Sequence, residues 1–105
     1  MARSPSTIAG HLPRELVRAR REVLRIAEKH GASHVRVFGS FARGEQRRDS
    51  DIDLLVDLPL SVGLLELVGL QQDLERALGR KVDVVPEDSL KPSLRPTILS
   101  ESRPL

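Results

Sequence analysis

Three aspartates lie in or beside short hydrophobic segments, where charged side chains are uncommon. Asp51 and Asp53 open the segment DIDLLVDL, and Asp83 lies among valines in KVDVVP. Since side chains alternate along a strand, Asp51 and Asp53 should share one face. They would stand about 7 Å apart and repel each other. If the strand with Asp83 is a neighbour, we expect three carboxylates that hold one or two Mg²⁺ ions, because magnesium prefers oxygen ligands and paired metals serve phosphoryl transfer.

These acids also have an ordinary interpretation. An Asp-x-Asp pair at the start of a strand is commonly solvated or caps the backbone, so the short motif does not establish a metal site. Two neighbouring acids, Asp49 and Asp57, are interpreted in this way, the first as a loop residue and the second as a strand-end charge.

A Gly-Ser pair, Gly39 and Ser40, follows the segment HVRVF. Glycine lets the backbone approach a ligand closely, and the free N–H groups of a helix that starts here would favour phosphate. The serine hydroxyl can donate to a phosphate oxygen. With the acids ten residues further along, the pattern fits a magnesium nucleotide. The turn would hold the β- and γ-phosphates, and the metal would stand near the α-phosphorus, where a nucleotidyl group is transferred.

The elements that must position these residues can be read from hydrophobic periodicity. Helical spacing recurs over residues 12–31 and 62–78, and β-branched runs stand at 34–38, 51–58 and 81–86. A short helix is expected over residues 96–101. This order predicts an α/β (α+β) arrangement of layers with few strands. Residues 1–11 are predicted to be a flexible arm and residues 12–105 one domain.

Composition excludes several classes of function. The chain of 105 residues has no cysteine, which rules out disulfides, cysteine–zinc sites and thiol nucleophiles. It has two phenylalanines and no tyrosine or tryptophan, so stacking of nucleic-acid bases on aromatic side chains is not expected. No apolar run approaches the length of a membrane span, and we expect a cytoplasmic protein without membrane or direct nucleic-acid contacts.

The Gly-Ser turn, ten intervening residues that include FARG, and the DID segment together resemble the minimal nucleotidyltransferases of the DNA polymerase β-like superfamily. These small proteins are often paired as antitoxins with HEPN ribonuclease toxins. The similarity extends through GLLELVGLQQDLERALGRKVDVV and LKPSLRP, and so covers residues 12–105. The resemblance implies the polymerase β-like palm fold, with a short mixed sheet of about three strands flanked by helices.

The resemblance also implies roles for individual residues. Gly39 and Ser40 match the turn that binds nucleotide phosphates, and Asp51 and Asp53 match the two metal-binding aspartates. Asp83 matches the third carboxylate, which lies near the acceptor hydroxyl and acts as its base.

Arg43 falls in the ARG element of the same family. Its role is either a phosphate contact or a structural ion pair with Asp51 or Asp49. The three histidines, His11, His30 and His34, are isolated in the sequence, and we expect them at the surface or at helix caps.

The implied activity is magnesium-dependent transfer of AMP from ATP to an acceptor hydroxyl. Little sequence follows the third predicted strand, so we expect another molecule to supply the acceptor. The resemblance points to a tyrosine of a HEPN toxin, held in a hetero-oligomer and silenced by the modification. Two alternatives stay open. One is an antitoxin that acts by binding alone, and the other is a nucleotidyltransferase for a small molecule or RNA.

Overall fold

The computed structural model describes residues 12–105, with the side chain of residue 60 excepted. The predicted arm over residues 1–11, with His11, lies outside the described residues. The elements in chain order are α1 (Arg14–Lys29), β1 (Ser33–Phe38), α2 (Ser40–Arg43), β2 (Ile52–Asp57), α3 (Leu64–Leu78), β3 (Val82–Pro86), α4 (Arg95–Glu101) and β4 (Arg103–Pro104). Short 3-10 turns follow β2 and β3. The predicted helices and strands are confirmed to within three residues at each end. None of the described helices is long and apolar enough to cross a membrane.

The sheet is mixed and has the strand order β3-β2-β1-β4. β1 pairs antiparallel with β2 and β4, whereas β2 and β3 run parallel. The mixed sheet was expected, but the prediction of three strands misses β4. That strand is only two residues long, too short for a period-two pattern to appear in the sequence.

The core is built almost entirely from aliphatic side chains. Leu54 and Leu55 are adjacent in β2 and both fully buried, so this strand is covered on both faces. Helical spacing predicts one apolar face on α3 that includes Leu64, Val68, Leu70 and Leu74. Leu70 and Leu74 are buried, whereas Leu64 and Val68 are 74% and 43% exposed, so the prediction is wrong for the first part of the helix, which the core does not cover.

His30 ends α1 and links it to α3. Its Nδ1 contacts Glu66, and its Nε2 lies 2.8 Å from Asp73 Oδ2. His30 is the C-cap residue of α1, and its side chain is only 10% exposed. Of the two expected positions, the helix cap is therefore confirmed and the surface is wrong. Both ring nitrogens face carboxylates, an arrangement in which both must donate. These hydrogen bonds, that of Asp73 foremost, raise the pKa of His30 above 6.5 against the opposing effect of burial.

This contact makes stability depend on pH. The groups facing His30 are Glu66 and Asp73 on α3, and Asp73 is itself paired with Lys29 and Arg76. Since the folded-state pKa is raised, the contribution of His30 is complete below pH 6.5 and is lost as the pH rises through the folded-state value. Urea unfolding of the wild type between pH 6 and 9 should show this loss. A His30→Asn variant should lack it, and an equal slope in both proteins would contradict the assignment.

Candidate functional site

Gly39 places the Gly-Ser turn next to the carboxylate of Asp53. Phe38 at the end of β1 is aligned with Asp53 on β2, so the following residue, Gly39, stands beside the Asp53 side chain. Gly39 has φ 74° and ψ −153°, a region that only glycine adopts readily. A Cβ atom at this position would fall well inside 3.0 Å of Asp53 Oδ2. Both the backbone conformation and the space therefore require glycine.

The three predicted carboxylates lie at one end of the parallel pair of strands. Asp53 and Asp83 are aligned partners on β2 and β3, and aligned residues on neighbouring strands share a face at about 4.8 Å separation. Asp51 precedes β2, which begins at Ile52 and not at Asp51 as predicted. The alternation argument therefore does not fix the direction of Asp51. Asp51 and Asp83 are exposed, whereas Asp53 is partly buried.

Asp53 is the carboxylate of this group whose charged form is clearly disfavoured. Burial first, and then the carboxylates of Asp83 and Asp51, raise its pKa from 3.8 to about 6, and Arg43 opposes them. A nearby cation would stabilise the charged form of a carboxyl group with such neighbours. The set offers only oxygen ligands, which suit Mg²⁺. Asp51, Asp53 and Asp83 therefore fit a divalent metal in their donor chemistry.

A second acidic group lies at the opposite ends of the same strands and has a different character. His34, Asp57 and Glu87 have ligand atoms within 4.8 Å of one another. The guanidinium of Arg36, almost fully buried, donates to Asp57 Oδ1 at 2.9 Å and to Glu87 Oε1 at 2.8 Å. Arg95 also contacts Glu87. These acids already have cationic partners, so we interpret the group as a structural ion-pair network and not as a metal centre.

Glu101 belongs to the site although no motif in the sequence pointed to it. Its Oε2 accepts a hydrogen bond of 2.9 Å from the Gly39 N–H. It also accepts from Arg43 Nη1, at 3.2 Å to Oε1. Arg43 Nε donates to Glu45 Oε1 at 2.9 Å. The expected ion-pair partners of Arg43, Asp51 and Asp49, are thus wrong, because α4 places a carboxylate closer.

Ser40 begins α2 next to Gly39 and is partly exposed. The structure thus gathers every predicted site residue around the ends of β1, β2 and β3. Arg43 on α2 and Glu101 on α4 pair on one side of the site. The assignment of Gly39, Ser40 and Arg43 to nucleotide phosphates stays a prediction.

A family model and several known proteins are similar to this chain in sequence. The family model described as "Nucleotidyltransferase domain" matches residues 19–105, a range that contains all of the residues above. The protein adenylyltransferase MntA of Thermococcus cleftensis is 42% identical over 76 residues, which cover 72% of this chain and 77% of that protein.

Two solved structures are similar in fold. A structure of a candidate minimal nucleotidyltransferase has 51% identity and a TM-score of 0.78, covering 90% of this chain and 98% of that one. A crystal structure of a toxin–antitoxin with AMP-PNP has 24% identity and a TM-score of 0.70, covering 80% and 69%. At that identity the second likeness concerns the fold alone.

Proposed function

Because this chain belongs to the nucleotidyltransferase domain family, among its minimal nucleotidyltransferases, we propose that it transfers AMP from ATP to a hydroxyl group of a partner toxin and thereby neutralises it. The observation that carries the proposal is the position of Asp53. It stands against Gly39 on one side and is aligned with Asp83 on the other. The Gly-Ser turn and a carboxylate pair thus meet at one point of the sheet, which supports the proposal.

Each residue has a defined part in this proposal. Gly39 lets the β- and γ-phosphates approach the turn closely, and the Ser40 hydroxyl donates to them. Arg43 supports the turn through Glu101. Asp51, Asp53 and Asp83 would hold one or two Mg²⁺ ions, which, when bound, neutralise phosphate charge and polarise the phosphoryl oxygens. The half-buried Asp53 would be the central ligand, since its charged form is the one that most lacks a cation.

The reaction exchanges one phosphorus–oxygen bond for another. The acceptor hydroxyl oxygen forms a bond to the α-phosphorus of ATP, and the bond from that phosphorus to the bridging oxygen of pyrophosphate breaks. The hydroxyl proton moves to Asp83, which is exposed and beside Asp53, and pyrophosphate leaves with the bond electrons. Asp83 would therefore act as the general base.

A macromolecular acceptor suits the openness of the site. Asp51 and Asp83 are both exposed, so a side chain of another protein can reach them. The names of similar proteins support this choice, since one is a protein adenylyltransferase and another structure is a toxin–antitoxin with an ATP analogue. We take the acceptor to be a tyrosine of a HEPN ribonuclease toxin in the cytoplasm, bound to this chain in a hetero-oligomer.

Labelled ATP tests the proposal directly. The protein, Mg²⁺ and the product of the neighbouring gene, as the candidate toxin, are incubated with ATP labelled either on the α- or on the γ-phosphate. We expect the toxin to gain the α-label and not the γ-label, with loss of its ribonuclease activity. This chain has no tyrosine, so any tyrosine-linked AMP must be on the partner.

The same assay separates the alternatives. Neutralisation of the toxin without label would show that the chain acts by binding alone. Label on RNA or on a small molecule, with none on the toxin, would replace the proposed acceptor. A toxin in which the labelled tyrosine is changed to phenylalanine serves as the control.

A further inference from the structure

Arg80 lies between α3 and β3 and contacts the loop that leads to the carboxylates. We infer that Arg80 is a positioning residue, which fixes loop 44–51 relative to the Gly-Ser turn and so places Asp51 and Asp53 for metal binding. Its effect on AMP transfer rests on the proposed function. Its effect on the loop can be measured without it.

The loop contact consists of hydrogen bonds to main-chain carbonyl groups. Arg80 Nη1 donates to the carbonyl oxygen of Arg48 at 2.8 Å and of Ser50 at 2.9 Å, with that of Arg47 further away at 3.4 Å. Hydrogen bonds from a charged donor are stronger than those between neutral groups. Since Ser50 directly precedes Asp51, the guanidinium holds the end of the loop from which the first carboxylate extends.

The flat face of the same guanidinium covers Phe41. The Arg80 Cζ lies 5.1 Å from the centre of the Phe41 ring, a distance at which a cation is attracted to an aromatic face. Phe41 is fully buried in α2, two residues after Gly39. Arg80 therefore contacts both parts of the site, the helix behind the phosphate turn and the loop before the carboxylates.

Glu15 on α1 fixes the orientation of the guanidinium. Its Oε2 and Oε1 accept from Arg80 Nε at 3.1 Å and from Nη2 at 3.2 Å. The Arg80 side chain is only 20% exposed. The following residue, Lys81, accepts the main-chain hydrogen bond of Ile52 at 2.9 Å. The main chain beside Arg80 and its guanidinium are thus both held in place. A lysine could not make the paired contact with Glu15, the contact with the Phe41 ring and the hydrogen bonds to the loop together.

The first test measures loop opening by limited proteolysis. Loop 44–51 contains the exposed pair Arg47 and Arg48, a natural trypsin site. We compare Arg80→Lys with Arg76→Lys, a matched change at a side chain that is 74% exposed and, among residues 12–105, forms an ion pair with Asp73 on the same helix and with no other acid. Cleavage at Arg47–Arg48, followed by mass spectrometry, should be about tenfold faster in Arg80→Lys. The variant lacks charged hydrogen bonds that hold the loop closed in the wild type, so local opening costs less free energy.

The second test measures the Mg²⁺ requirement of AMP transfer to the toxin. In Arg80→Lys, the Mg²⁺ concentration for half-maximal rate should rise about tenfold, while the rate at saturating Mg²⁺ falls less. A residue that only stabilised the fold would lower the fraction of active protein and leave this midpoint unchanged. Mg²⁺ binding followed by calorimetry gives the same comparison if the toxin proves not to be the acceptor.

The two tests separate the inference from the proposed function. Equal cleavage at Arg47–Arg48 in the two variants would overturn the positioning role, whatever the activity. Faster cleavage with an unchanged Mg²⁺ midpoint would also overturn it, since the loop would then not control the carboxylates. If Arg80→Lys fails to fold, Glu15→Gln loosens the same guanidinium and should change both measurements in the same direction.

Discussion

Replacing Asp51 and Asp53 together by asparagine should lower AMP transfer by at least about a thousandfold, because a metal ion contributes several kcal/mol to such transition states. The same change should leave the free energy of unfolding within about 1 kcal/mol of the wild type. The reason is electrostatic. In the folded protein, burial and the neighbouring acids disfavour the charged form of Asp53, so removing that charge costs the fold little. Labelled ATP and urea unfolding measure the two effects.

The control for this variant removes two carboxylates away from the site. Asp88 after β3 and Glu28 on α1 are both exposed, and Asp88→Asn with Glu28→Gln changes the net charge by the same amount. This variant should keep its activity. Equal labelling by both double variants would show that Asp51 and Asp53 are not ligands. A dead variant that still neutralises the toxin would assign the biological effect to binding.

Changing Gly39 to alanine should abolish measurable AMP transfer and destabilise the protein by about 1–3 kcal/mol, the cost of holding a non-glycine residue in this conformation. A second cost comes from the side chain itself, because the new methyl group would overlap the Asp53 carboxylate. Either the turn or Asp53 must move, and the two parts of the site would separate. Thermal unfolding and the labelling assay measure both consequences.

Gly44 offers a matched control for the backbone. It also has a positive φ, 73°, but a Cβ atom there would meet nothing within 4 Å. Gly44→Ala should therefore show a small loss of stability and retain activity. A double-mutant cycle separates the overlap from the strain, since Asp53→Ala should recover part of the stability of Gly39→Ala without recovering activity. Full activity in Gly39→Ala would contradict the assignment of the turn.

Local pattern predicted much of the fold and the candidate site. Period-two alternation placed Asp53 and Asp83 on strands, and turn chemistry singled out Gly39. These features are local, because each depends on a few neighbouring residues. The proximity of Asp53 and Asp83 followed once their strands were taken to be neighbours, and the register confirms it.

Contacts between distant segments could not be predicted in this way. Glu101 and Arg80 look like ordinary surface charges in the sequence, and only the docking of α4 and the end of α3 brings them to the site. His30 appeared isolated because Glu66 and Asp73 lie on another helix. Arg36 in an alternating strand gave no sign that its partners would be Asp57 and Glu87.

The hydrogen bond from Gly39 to Glu101 can form only late in the synthesis of the chain. The two residues are separated by 62 positions, so the turn and all three aspartates leave the ribosome before the carboxylate that completes the turn. A nascent chain halted before α4 would carry every predicted ligand yet lack the contact that ties Gly39 and Arg43 together. The site therefore matures with α4, and a partner met during translation would encounter β1 to β3 before the completed Gly-Ser turn.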